Sequence, residues 1–89
     1  MTISELEKEV SKDFPVISNV SIDQTLDSYA RSTVYLSFSA PIGVLNKLIV
    51  SSNGGNRFMM ITFNVDGNKV ILKSDAVINM YPLLEYITK

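Results

Sequence analysis

The chain has 89 residues, 46% hydrophobic and 19% charged, with nine acids against eight bases. That is the balance of one ordered globular domain, not of a disordered tail or of a surface that grips nucleic acid all over. It has no cysteine and no histidine, which removes disulfides, thiolate zinc sites and cysteine nucleophiles, together with the commonest general base and transition-metal ligand. No apolar run approaches the ~20 residues of a membrane span. The charged start MTISELEKEVSKDF lacks the apolar core of a secretion signal. The expectation is a soluble cytoplasmic protein.

Residues 2–13 read as a helix. Thr2 and Glu5 have capping-box spacing, and Ile3, Leu6 and Val10 form an apolar stripe that Phe14 extends. Pro15 ends it. Residues 16–22 read as a strand with Val16, Val20 and Ile22 on one face, and residues 23–27, DQTLD, read as a loop. Residues 29–39 form a second strand with the cleanest alternation in the chain. Ala30, Ser32, Val34, Leu36 and Phe38 point one way; Tyr29, Arg31, Thr33, Tyr35 and Ser37 point the other.

Residues 40–52 favour a helix. Pro41 suits its first turn, Ile42, Leu45, Leu48 and Ile49 recur at helical spacing, and Asn53-Gly54 supplies a stop. Gly43 argues against it, and LIVS also reads as a buried strand. Residues 57–74 read as a β-hairpin closed by a type I′ turn at Asp66-Gly67, which pairs Phe63 with Val70 and Ile61 with Leu72. Met59, Ile61, Phe63, Val65, Val70 and Leu72 then share a core face. Phe58, Met60, Thr62, Asn64, Lys69, Ile71 and Lys73 share the other. A last helix, capped by Ser74 or Asp75, is kinked or restarted at Pro82.

Together these elements predict an α+β fold in a single small two-layer domain of order α-β-β-α-β-β-α. A four-stranded, mainly antiparallel sheet carries helices on one face. Strand order stays open.

Catalytic and metal chemistry find little support. Asp23 with Asp27, or Asp66 with Asp75, could offer oxygen ligands, but each position suits turn and cap chemistry better. SNGGNR has phosphate-loop composition in the wrong order, helix before strand. No serine sits in an elbow or an S-x-x-K motif. No catalytic residue, cofactor or metal is expected.

The second sheet face is the informative surface. Tyr29, Arg31, Tyr35, Phe58, Met60, Ile71 and Lys73 are the types enriched in protein interfaces, and they predict a non-catalytic interaction module. It is expected to be a homodimer paired through that face or an edge strand. The alternative is nucleic-acid binding by the same face, with Arg31, Arg57, Lys69 and Lys73 on phosphates. A short chain of this profile is also common among accessory proteins, including those of viruses and mobile elements.

Overall fold

A computed structural model describes residues 2–29, 31–53 and 61–88, with the backbone alone for 51–53. The order is α1 (Ile3–Asp13), β1 (Ser18–Leu26), β2 (Ser32–Ser39), α2 (Ile42–Asn53), β3 (Thr62–Asp66), β4 (Lys69–Ser74), a 3₁₀ turn (Val77–Met80) and α3 (Tyr81–Thr88). The strands form one antiparallel sheet in the order β1-β2-β4-β3. The architecture is the predicted α-β-β-α-β-β-α, and the two hairpins meet through β2 and β4.

One face of the sheet carries the core. Ile22, Val34, Leu36, Phe38, Val70 and Leu72 pack in one cluster with Val10 and Phe14 of α1, Val44, Leu45 and Leu48 of α2, and Leu83, Leu84 and Ile87 of α3. The helices therefore share this face, as the amphipathic stripes require.

The two ends of α1 follow the sequence. Thr2 accepts the Glu5 backbone N–H at 3.2 Å. Phe14 leaves the helix with its N–H still donating to the Val10 carbonyl at 2.9 Å, and Ile17 donates to the Phe14 carbonyl at 3.2 Å around Pro15.

The first strand differs from expectation. It runs through Gln24 to Leu26, which pair with Val34 to Ser32, so residues 23–26 are strand and the turn lies beyond them. The cause is Asp27. Its carboxylate accepts the backbone N–H groups of Tyr29 and Arg31 at 2.9 Å each and the Arg31 Nε–H at 2.9 Å. The acid at the far end of DQTLD thus organises the turn, an Asx-type role.

A β-bulge then re-aims the start of β1. Two residues, Asn19 and Val20, stand opposite Phe38 alone, between the pairs Ser18–Ser39 and Ser21–Ser37. Asn19 takes φ +54°, a region Asn tolerates better than most residues. The extra residue brings Ile17 and Ile22 into the same core although simple alternation over their odd offset would put them on opposite faces. Val16, placed inward by simple alternation, is exposed instead.

The second hairpin keeps its predicted faces but not its predicted turn. Asp66 pairs with Lys69, Val65 with Val70 and Phe63 with Leu72, so Gly67 and Asn68 form the loop. Gly67 has φ +63° and Asn68 a negative φ, the pattern of a type II′ turn with glycine first. The pairing is displaced by two positions from the type I′ expectation, and an even displacement leaves every side chain on its original face. The turn is also tied to the first hairpin, since Ala40 N–H donates to the Asn68 carbonyl at 2.9 Å.

Residues 42–53 are helical. The Pro41 carbonyl accepts the N–H groups of Val44 and Leu45, at 3.0 and 3.1 Å, in the first turn. The buried set is Val44, Leu45 and Leu48; Ile42 and Ile49, expected in the stripe, lie outside. At the other end Ser74 and Asp75 do not cap a helix with their side chains. Buried Ser74 closes β4 and accepts a bond from Asn79 Nδ2, while the Asp75 carbonyl accepts the Ser32 hydroxyl. Pro82 falls in the first turn of α3, where its missing N–H is harmless.

Outer strand β1 is guarded. The Ile22 N–H points away from β2 and donates to Glu7 Oε2 of α1 at 2.8 Å. A carboxylate on an edge amide blocks strand addition there. Glu7→Ala is expected to cost about 1–2 kcal/mol in urea unfolding, while Glu7→Gln, which still offers an oxygen, should lose about half of that or less.

Candidate interaction surface

The open face of the sheet is built in cross-strand rows. The central row runs Asp23, Tyr35, Lys73, Thr62 across β1, β2, β4 and β3. The next runs Ser21, Ser37, Ile71, Asn64. Thr25 with Thr33 flanks one side, and Ser39, Lys69 and Asp66 flank the other. Direct pairing puts each row on one face.

Tyr35 and Ile71 therefore sit at the centre of a field of small hydroxyl and amide side chains. Lys73 Nζ lies 6.0 Å from the centroid of the Tyr35 ring, within cation–π range. Tyr35, Thr62, Phe63, Asn64, Ile71 and Lys73 line a shallow depression of about 240 Å³. The acids on this face stand beside its bases: Asp66 opposite Lys69, and Asp23 in the row of Lys73.

The structure separates the residues that alternation had grouped. Tyr35, Ile71, Lys69 and Lys73 share the open face. Tyr29 and Arg31 precede β2, which begins at Ser32. They stand at the hairpin tip, where the Arg31 guanidinium carbon lies 5.4 Å from the Tyr29 ring centroid and the carboxylate of Asp27 holds the turn. These bonds hold the Asp27 carboxyl below its ordinary range, the Arg31 backbone N–H contributing most. Arg57, Phe58 and Met60 lie outside the described residues.

The acid pairs considered for metal binding do not converge. Asp27 spends its oxygens on its own turn, and Asp23 lies on the open face. Asp66 and Asp75 flank opposite ends of β4. Among the described residues no three acids gather as a metal site. Among those residues, too, no helix is long and apolar enough to cross a membrane.

One further cleft, of about 270 Å³, lies between the end of α1 and α3, lined by Asp13, Phe14, Pro15, Val16, Tyr81, Glu85 and Thr88. The Phe14 and Tyr81 rings meet edge to face at 5.4 Å. Burial raises the Tyr81 pKa above its usual 10.0, and the charges of Asp13 and Glu9 and a hydrogen bond to Asp13 add to the shift. The folded state favours the protonated phenol, so this contribution is complete below pH ~10 and is lost as pH rises through the raised value. Urea unfolding above that pH should therefore show wild type losing stability faster than Tyr81→Phe.

Comparison with protein-family models, with curated proteins and with solved structures returned no match.

Proposed function

We propose that the chain is a non-catalytic protein-interaction module, working in the cytoplasm as a homodimer, and that the open sheet face docks a protein partner. The observation that carries this reading is the placement of Tyr35 and Ile71 at the centre of a flat, otherwise small-residue surface with lysines beside them. An aromatic and an aliphatic anchor inside a polar surround is the anatomy of a binding hot spot. The hydroxyl-rich remainder of the face suits a wet interface that forms and dissolves, not an obligate one.

The same face supports a nucleic-acid reading less well. Stacking platforms use several aromatic rings and an excess of positive charge. Here Tyr35 is the one aromatic side chain in the central rows, and Asp23 and Asp66 stand among the lysines. The deciding experiment measures binding to protein partners and to single-stranded RNA and DNA across a salt series. Protein binding that persists at high salt supports the interaction module. Nucleic-acid affinity that falls steeply with salt would replace it.

A further inference from the structure

The cleft between the end of α1 and α3 combines an apolar lining with acids from both helices. Buried Phe14 and half-buried Tyr81 lie deep, and exposed Asp13 and Glu85 stand further out, one from each helix. Val16 joins the lining because the bulged strand buries Ile17 and leaves Val16 outward. The volume, about 270 Å³, falls short of the roughly 300–1,000 Å³ that encloses a drug-sized ligand. It suits one long side chain.

The cleft is electrostatically one-sided. Among the described residues no base lines it, and none forms an ion pair with Asp13 or Glu85. Asp13 is also the last residue of α1, the end at which the helix dipole disfavours an anion. Lys12, the base in that turn, is not part of the lining. The negative field reaches the aromatic wall, where the charges of Asp13 and Glu9 help to keep the Tyr81 phenol protonated.

Its hydrogen-bonding capacity is one-sided as well. Ionised carboxylates only accept. Thr88 donates its hydroxyl to the Leu84 carbonyl at 2.6 Å, and Tyr81 is hydrogen-bonded to Asp13, so the two hydroxyl oxygens keep acceptor capacity alone. A fitting ligand therefore brings donors, positive charge and an apolar stem together. A bare cation would leave the apolar lining unused, and among the described residues no three acids gather to hold a metal. Arginine matches all three demands. It carries five N–H donors and no acceptor, its planar head stacks on aromatic rings, and its methylene stem covers apolar surface.

We propose that this cleft receives an arginine side chain of a partner protein, with its methylenes over Pro15 and Val16 and its guanidinium against the Tyr81 ring and the carboxylates of Asp13 and Glu85. The inference goes beyond docking on the open sheet face and does not depend on it, because α1 and α3 pack on the opposite, core-bearing face.

The test titrates the full chain by NMR with the blocked tripeptide acetyl-Gly-Arg-Gly-amide and with its citrulline counterpart, which keeps the shape and loses the charge. The arginine peptide should shift the Phe14, Val16 and Tyr81 resonances saturably, and citrulline should bind at least about tenfold more weakly. Asp13→Asn with Glu85→Gln should weaken arginine binding at least about tenfold with an unchanged circular dichroism spectrum, since both side chains are exposed. Ile71→Glu, on the sheet face, should leave it unchanged. Equal binding of the two peptides, or arginine binding that survives the double amide change, overturns the proposal. Shifts centred on Tyr35 and Ile71 instead overturn it and assign the peptide to the sheet face. The chain's own Lys89 follows Thr88 in sequence. A Lys89→Ala chain should bind the arginine peptide as wild type does, and a gain of about tenfold would make that lysine the occupant and overturn the partner arginine.

Discussion

Phe38→Ala is expected to lower stability by about 3–5 kcal/mol, the range for removing a large aromatic side chain from a closed core. Phe38 is 1% exposed and sits on β2, the strand that joins the two hairpins. Its row continues to Val70 on β4 and Val65 on β3, so a cavity there loosens contacts in both halves. A domain of this size has about 5–10 kcal/mol in total. The variant should therefore unfold at about half the urea concentration of wild type or less, and a partly unfolded population at 37 °C is expected. Ile42→Ser gives the contrast. Ile42 is exposed on α2, and removing it should change monomer stability by no more than about 0.5 kcal/mol. A Phe38→Ala midpoint close to wild type would mean that the β2–β4 junction does not hold the fold together.

What the sequence could and could not reveal follows from where the determinants lie. Alternation in residues 32–39 and 69–74 is local and period two, so it assigned Leu36, Phe38, Val70 and Leu72 to the core correctly. Helix α1 announced both ends through Thr2 and Pro15. The type II′ turn at Gly67-Asn68 was missed because Asp-Gly and Gly-Asn are both good hairpin pairs, and only the strand register separates them. That error left the faces unchanged, since the register moved by an even number.

The bulge at Asn19 was different. One extra residue reverses alternation without any composition signal beyond an asparagine, so Val16 and Ile17 exchanged roles. In α2 the strongly apolar composition concealed which side was core. Spacing alone could not distinguish Ile42 and Ile49 from Val44, because a helix apolar all round has a weak periodic signal. On the candidate surface, Tyr35, Ile71 and Lys73 were readable from alternation. Tyr29 and Arg31 stand just beyond the paired strands, at a turn held by three bonds to Asp27.

Tyr35→Glu combined with Ile71→Glu should abolish partner binding while leaving the fold intact. Both side chains point away from the core, at the centre of the open face. Ile71 is exposed and Tyr35 half-buried among its neighbours on that face, so the stability cost is about 1–2 kcal/mol, mainly lost cross-strand packing. The binding cost is larger. Removing two anchors from a hot spot costs about 2 kcal/mol or more each, and burying two carboxylates adds a desolvation penalty. The expected outcome is a loss of affinity of at least about a hundredfold by calorimetry, with a circular dichroism spectrum like that of wild type. Lys69→Ala with Lys73→Ala separates the remaining alternatives. If the partner is a protein whose contact centres on Tyr35 and Ile71, removing these two charges slows association and changes affinity less than the double glutamate change does. If the partner is a nucleic acid, affinity falls for every sequence and the salt slope drops by about one per lysine. Should the double glutamate variant bind as wild type does, the open face is solvent surface and the partner site must lie elsewhere, with the hairpin tip at Tyr29 and Arg31 the next place to probe because both side chains are exposed and the Asp27 turn already holds them in place.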